Sequence, residues 1–316
     1  MYRLYPDIKP HRVDELPVEE PHSLYFEESG NPRGLPVVCL HHGPGLGSHG
    51  LYRRLFDPER YRIVLFDQRG SGKSNPFGAL EANTTWHTIA DLERLRQHLS
   101  LGHWLVFGDG FGATLALAYA QRHSERVMGL LLRSAFLCRP RDVDWLYRFG
   151  ASQLFPEAWK QFIAPIPLPE RDDLPKAYAQ RLDGEDELER LRLARAWNAW
   201  ETTVSQYHPH YPLSLVPNDS RATVLRARLR LHYMSQGGFL EPAQLLEEAQ
   251  ALKGIPGIVV HGRFDILHPL AGAFALQHHW PEAELRIVPG AGNSVDEPGL
   301  VDAAVRATRR MAKRLA

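Results

Sequence analysis

The sequence predicts an α/β protein: a mostly parallel, doubly wound sheet with a helical segment inserted into it. Three observations carry that prediction. Short apolar runs alternate with helix-period patterns through residues 36–132. From about residue 139 to residue 252 the alternation stops, and helical stretches broken by Pro-rich turns take its place. The alternation then resumes at residue 256 and continues to the end of the sequence. A chain of 316 residues has room for one large domain with an insertion. The expected division is therefore a core of residues 1–138 and 253–316, and a helical cap of residues 139–252.

Taken in order, residues 36–41 read as a buried strand that runs into a Gly/Pro turn, and residues 62–67 as a second strand. Residues 84–99 carry Ile89, Leu92, Leu95 and Leu99 at helical spacing, with Asn83 or Thr84 available as N-cap. Residues 104–108 form a third strand, 111–122 an Ala- and Leu-rich helix, and 127–132 a further strand. Residues 185–201 and 222–232 are helical, separated from the core by turns such as Pro165-Ile166-Pro167-Leu168-Pro169. After residue 253 the order is strand 256–261, helix 271–279, strand 284–288 and a terminal helix over 300–315.

Composition excludes several classes of function. Thirty-seven basic residues balance 37 acidic ones, which gives no footprint for nucleic acid or for a membrane surface. The two cysteines, Cys39 and Cys138, are too few for a disulfide framework, and Cys39 sits in an apolar run as a small core residue. Residues 1–20 are polar and contain no apolar h-region, and no run is long enough to span a bilayer. A cytoplasmic protein acting on a small molecule is expected, with the oligomeric state left open. The 16 histidines are scattered without metal-ligand spacing, so neither a metal nor another cofactor is expected.

The strand–turn–helix at residues 104–113 frames Gly108-Asp109-Gly110-Phe111-Gly112. This is the setting of a Gly-x-Ser-x-Gly nucleophile elbow, with glycine where the serine would stand. Other stretches join it: His41-His42-Gly43-Pro44-Gly45, Asp67-Gln68-Arg69-Gly70-Ser71-Gly72-Lys73-Ser74, Asn83-Thr84-Thr85-Trp86, His261-Gly262-Arg263-Phe264-Asp265, Gly290-Ala291-Gly292-Asn293-Ser294 and Trp200-Glu201. Together these resemble the motifs of the prolyl aminopeptidase (proline iminopeptidase) family of α/β-hydrolases, over nearly the whole chain. The resemblance implies the α/β-hydrolase fold. It also explains the tract at residues 67–74, whose glycine spacing fails for a phosphate loop because Asp67 stands where the first glycine is needed.

The resemblance implies a serine at position 110 and a general-base histidine at position 293, where this chain has Gly110 and Asn293. Of the triad only Asp265 remains, and an amide is no general base near neutral pH. Four neighbouring positions have gained polarity: His42 in the oxyanion loop, Asp109 before the elbow, His268 after Asp265, and Asp296 after Asn293. In the cap, the family's Glu that binds a substrate amino group corresponds to Glu201. A second acidic position corresponds to Arg230 in Ala227-Arg228-Leu229-Arg230. One cation beside one carboxylate suits an amino acid or related zwitterion.

The candidate acid–base residues are thus His42, Asp265 and Asp109. The candidate substrate-binding residues are Gly43, Gly110, Phe111, Trp200, Glu201, Arg230, His268, Asn293 and Asp296. For Asp109 the alternatives are an aspartate nucleophile one residue early, or a solvated, loop-capping carboxylate. Three functions stay open: a repurposed non-hydrolytic enzyme (cyclase, lyase, dehydratase or isomerase) on a small amino-acid-derived or carboxylate-bearing metabolite; a catalytically inactive binder of a small molecule or partner; and residual prolyl aminopeptidase activity.

Overall fold

A computed structural model describes residues 2–205 and 219–315. Its centre is one eight-stranded sheet in the order β1-β2-β4-β3-β5-β6-β7-β8. The strands are β1 (Arg12–Pro17), β2 (Ser23–Gly30), β3 (Leu35–Leu40), β4 (Tyr61–Phe66), β5 (Trp104–Asp109), β6 (Val127–Arg133), β7 (Gly257–Gly262) and β8 (Ala283–Val288). β1 and β2 pair antiparallel, β2 also runs antiparallel to β4, and β3 to β8 are parallel. The parallel strands are near-continuous runs of Val, Ile and Leu because both sheet faces are covered.

The helices are α1 (Thr85–His98), α2 (Phe111–Arg122), α3 (Pro140–Tyr147), α4 (Ala151–Leu154), α5 (Pro156–Ile163), α6 (Leu174–Leu182), α7 (Glu187–Ser205), α8 (Ser220–Met234), α9 (Gln244–Glu247), α10 (Leu270–His279) and α11 (Pro298–Arg314). α2 is apolar almost all round and is buried along its length, as such a helix must be. α11 is amphipathic and lays Leu300, Val305 and Met311 on the opposite face of the sheet. Between β6 and β7 every described element is helical, and residues 206–218 of that stretch lie outside the described residues. No described helix is long and apolar enough to cross a membrane.

The two N-terminal strands were not predicted, and the reason is charge. β1 is an exposed edge strand with charged side chains. β2 buries Glu27 and Glu28, which break the apolar pattern. Their partners come from elsewhere in the chain: Arg53 Nε lies 2.6 Å from Glu27 Oε1, and Arg62 Nε 2.5 Å from Glu28 Oε2. Buried carboxylates persist where a cation and hydrogen bonds meet them, and neither partner is visible from local periodicity.

Candidate active site

The site lies at the C-terminal ends of β3, β5 and β6, where a doubly wound sheet opens a crevice. β5 ends at Asp109 and α2 begins at Phe111, so a single residue makes the turn. Gly110 holds φ 57° and ψ −117°, a conformation side chains rarely adopt. The sharp strand-to-helix turn is therefore carried by a glycine. The neighbouring glycine is fixed by packing, since a Cβ on Gly112 would fall 2.2 Å from the Leu40 carbonyl oxygen.

The space above Gly110 is filled by His42. A Cβ at position 110 would stand 2.6 Å from His42 Nδ1 and 2.9 Å from the His42 carbonyl oxygen. That carbonyl accepts the Phe111 N–H at 2.9 Å. His42 Nδ1 is 3.3 Å from Asp109 Oδ1. Asp109 is fully buried, which corrects the expectation of a solvated or loop-capping carboxylate. Parallel register brings Asp109 beside Arg133, the last residue of β6. Arg133 Nη2 lies 2.6 Å from Oδ1 and donates to Oδ2 at 2.7 Å, and the Tyr52 hydroxyl donates to Oδ2 at 2.7 Å. Burial alone would raise the Asp109 carboxyl, but the Arg133 guanidinium and the His42 ring hold it well below the usual carboxylate range. An ionised carboxylate only accepts, so Nδ1 of His42 carries a proton toward it.

A second histidine–carboxylate couple sits behind the first. Asp265 accepts the His268 backbone N–H on Oδ1 at 2.8 Å and Asn293 Nδ2 on Oδ2 at 2.8 Å. The same Asn293 nitrogen is 3.1 Å from His268 Nδ1. His268 is 1% exposed, with its ring 5.2 Å from that of His42 and 5.1 Å from that of Phe136. Asp265 and His268 are enclosed and do not line the cavity; Asn293 stands between Asp265 and the opening. Asp265, expected among the acid–base residues, is enclosed here with each oxygen accepting a donor from a neighbour.

The cavity measures about 130 Å³ and lies between these loops and helices α7 and α8. Of the candidates, His42, Gly43, Asp109, Glu201, Arg230 and Asn293 line it. Gly110 lies beneath the His42 ring. Glu201 and Arg230 were expected to hold separate ligand charges. Instead they pair, with Arg230 Nε 2.9 Å from Glu201 Oε1, an oxygen that also accepts the Tyr147 hydroxyl at 2.6 Å. Two opposite charges facing one another across a poorly solvated gap associate when no ligand separates them. One Nη of Arg230 reaches over Gly43 at the cavity wall.

Three candidates turn away from the cavity. Trp200 packs against Trp159 and Phe162, and its Nε1 donates to the Leu146 carbonyl at 3.0 Å. Phe111 is buried against Tyr233. Asp296 is exposed, where it accepts the Ser294 hydroxyl. Among the described residues no cluster of three His, Cys, Asp or Glu side chains is placed to hold a metal ion.

The model of the alpha/beta hydrolase fold family matches residues 36–295. A proline iminopeptidase of Xanthomonas citri is 48% identical over 309 residues, covering 98% of this chain and 99% of that protein. The proline iminopeptidase of Arabidopsis thaliana is 44% identical over 310 residues, covering 98% of this chain and 82% of that protein. The chain belongs to the proline iminopeptidase family of α/β-hydrolases. Among solved structures, a proline iminopeptidase-related protein of Thermus thermophilus superposes with TM-score 0.60 at 22% identity, covering 98% of this chain and 100% of that one. At that identity the likeness speaks for the fold.

Within this family scaffold, sequence reasoning missed Arg133 and Tyr52, both of which touch Asp109. A signal for Arg133 was present: a lone cation closes the apolar run of residues 127–132, at the strand end where a parallel neighbour offers Asp109. Tyr52 gave none, because it reaches the site from the short 3₁₀ helix Gly50–Leu55.

Proposed function

We propose that this chain is a member of the proline iminopeptidase family that has exchanged acyl transfer for proton transfer. In this reading His42 takes or delivers the proton through Nε2, and Asp109 orients the ring and stabilises its charged form. The observation that carries the reading is the His42 imidazole standing where any side chain at position 110 would stand, with Nδ1 on a buried, ion-paired carboxylate. The family frame assigns the nucleophile to Gly110 and the base to Asn293, and neither residue can act as one. The Phe111 N–H, which would greet an acyl oxyanion, is engaged by the His42 carbonyl.

The substrate class is a small amino-acid-derived or carboxylate-bearing metabolite. The Glu201 carboxylate and the Arg230 guanidinium present an acceptor and donors at the wall of a space of about 130 Å³. A reaction without net hydrolysis follows: cyclisation, elimination, dehydration or isomerisation. A second reading, a binder without turnover, is favoured by one observation. Each charge at Asp109–Arg133 and Glu201–Arg230 is already met by its neighbour.

The test is mass spectrometry of a cellular metabolite extract incubated with the protein and with its His42→Ala variant. A metabolite consumed by the parent alone, with loss of water or unchanged mass, supports proton-transfer chemistry. Consumption by neither moves the reading to a binder, and a product heavier by one water overturns it. L-Prolyl p-nitroanilide is the parallel probe, and no release of p-nitroaniline is expected. Gly110→Ser alone should not restore release, because the new side chain meets the His42 ring; the combination His42→Gly, Gly110→Ser, Asn293→His should.

A further inference from the structure

The elbow has given its own N–H to His42, yet another buried donor lies one ring away. The Asn293 amide nitrogen carries two hydrogens, and its two partners are Asp265 Oδ2 at 2.8 Å and His268 Nδ1 at 3.1 Å. A donor facing Nδ1 requires the lone pair there, so the neutral His268 ring carries its hydrogen on Nε2. Nε2 is buried and has no hydrogen-bond partner among the described residues. Such an orphan is rare in folded proteins and calls for an acceptor. The residues around it point to where one would come from: Leu267 and Asn293 line the cavity, as does the His42 ring that lies against His268.

We propose that the Nε2–H of His268 donates a hydrogen bond to an oxygen of the bound ligand, a carboxylate or a carbonyl on which negative charge develops. The proposal rests on the reading of His42 as the proton-handling group and adds a second imidazole with a different task. His42 moves the proton, while His268 remains neutral and holds the oxygen. Neutrality suits that task, and burial supplies it by pushing the His268 ring down to about 4 against the opposing pull of Asp265. Asp265 and Asn293, the remnants of the family's triad, act here as positioning residues that fix the tautomer. Contact with the ligand requires the His42 ring to turn aside at the cavity wall, where its side chain is 21% exposed.

Acetate is the probe. The protein, labelled with ¹⁵N at histidine, is titrated with sodium acetate and the imidazole resonances are followed. The His268 signal is assigned by its loss in His268→Asn. The expected result is a saturable downfield movement of the Nε2 proton in the parent protein. His268→Asn keeps an acceptor for Asn293 but is too short to place a donor where Nε2 stands, and should bind acetate at least about tenfold more weakly, the value of one hydrogen bond to a charged group. His268→Gln can carry an amide N–H near the place of Nε2 and should stay within about threefold of the parent. No acetate-dependent movement of the proton, unchanged affinity in His268→Asn, or an equal loss in His268→Gln would each overturn the proposal. The titration involves no turnover, so its failure leaves the His42 test standing, and failure of the His42 test leaves this one readable.

Discussion

Two histidine–carboxylate couples stand with rings 5.2 Å apart, and they are built on opposite principles. Asp109 is neutralised by a full cation, Arg133, and its histidine faces the cavity. Asp265 has no arginine or lysine partner among the described residues and is held by an amide and a backbone N–H, with its histidine enclosed. The first couple is suited to exchange a proton, because Arg133 stabilises the carboxylate whatever the ring's charge. The second favours a neutral ring, because burial penalises a charged one. One family scaffold thus offers an imidazole open to the cavity and an enclosed one side by side.

The sharpest way to break this contrast is to remove the cation. Arg133→Met should leave Asp109 buried with hydrogen bonds but no counter-ion, and should destabilise the fold by about 3–5 kcal/mol. Asp265→Asn should cost less, about 1–2 kcal/mol, since it exchanges one acceptor among neutral donors. Urea denaturation of both variants at about pH 7.5 measures the difference. Equal losses would mean that the ion pair does no more for Asp109 than hydrogen bonds do for Asp265.

The next test separates the two couples by pH. His268 is lowered to about 4 by burial, with Asp265 opposing and His42 and Arg230 reinforcing the shift. In the unfolded chain its value is about 6.5. A histidine depressed on folding gives stability that is fully present above the unfolded value and is lost as pH falls toward the folded one. Between about pH 7.5 and 5.0 the His268 contribution should fall by about 2 kcal/mol. His41, lowered to about 3 by burial, adds a similar slope from inside the core. Asp265 is silent in this window: raised by burial but held at about 2 by His268 and Asn293, it matters only below about pH 4. His268→Asn should therefore flatten the profile by about 2 kcal/mol, as read from urea midpoints at the two pH values. An unchanged slope would contradict a neutral, enclosed His268.

How much of this was legible in the sequence differs between the same two regions. The parallel strands and their helices were readable because burial on both faces forces continuous apolar runs and helix periodicity. β1 and β2 were not, since the arginines that pair Glu27 and Glu28 lie distant in sequence. At the site, motif positions brought His42, Glu201, Arg230 and Asn293 into view, and all four line the cavity. Side-chain direction was the illegible part. Trp200 is the neighbour of Glu201 in sequence but turns from the cavity into the aromatic cluster of the helical segment. Asp109 looked like a loop residue because its partner Arg133 comes from the next strand, and register is invisible without the sheet.

The smallest expected effect tests how the Asp109 couple is tuned. The Tyr52 hydroxyl donates to Oδ2 of Asp109 at 2.7 Å, beside the Arg133 contact. Tyr52→Phe deletes that donor, leaves the ion pair and keeps the ring's packing on Phe107. A hydrogen bond to a charged group contributes about 1.5–3 kcal/mol, and the retained Arg133 places the loss at the lower end, about 1.5 kcal/mol. The function should follow a different path from the stability. With one donor fewer, the carboxylate draws more strongly on the His42 Nδ1–H and strengthens that hydrogen bond. The His42 Nδ1 proton resonance followed by NMR should then move downfield in Tyr52→Phe, while the His268 resonance stays where it was. A shift shared by both rings would mean that the two couples are one electrostatic unit, and that the division of labour between them is wrong.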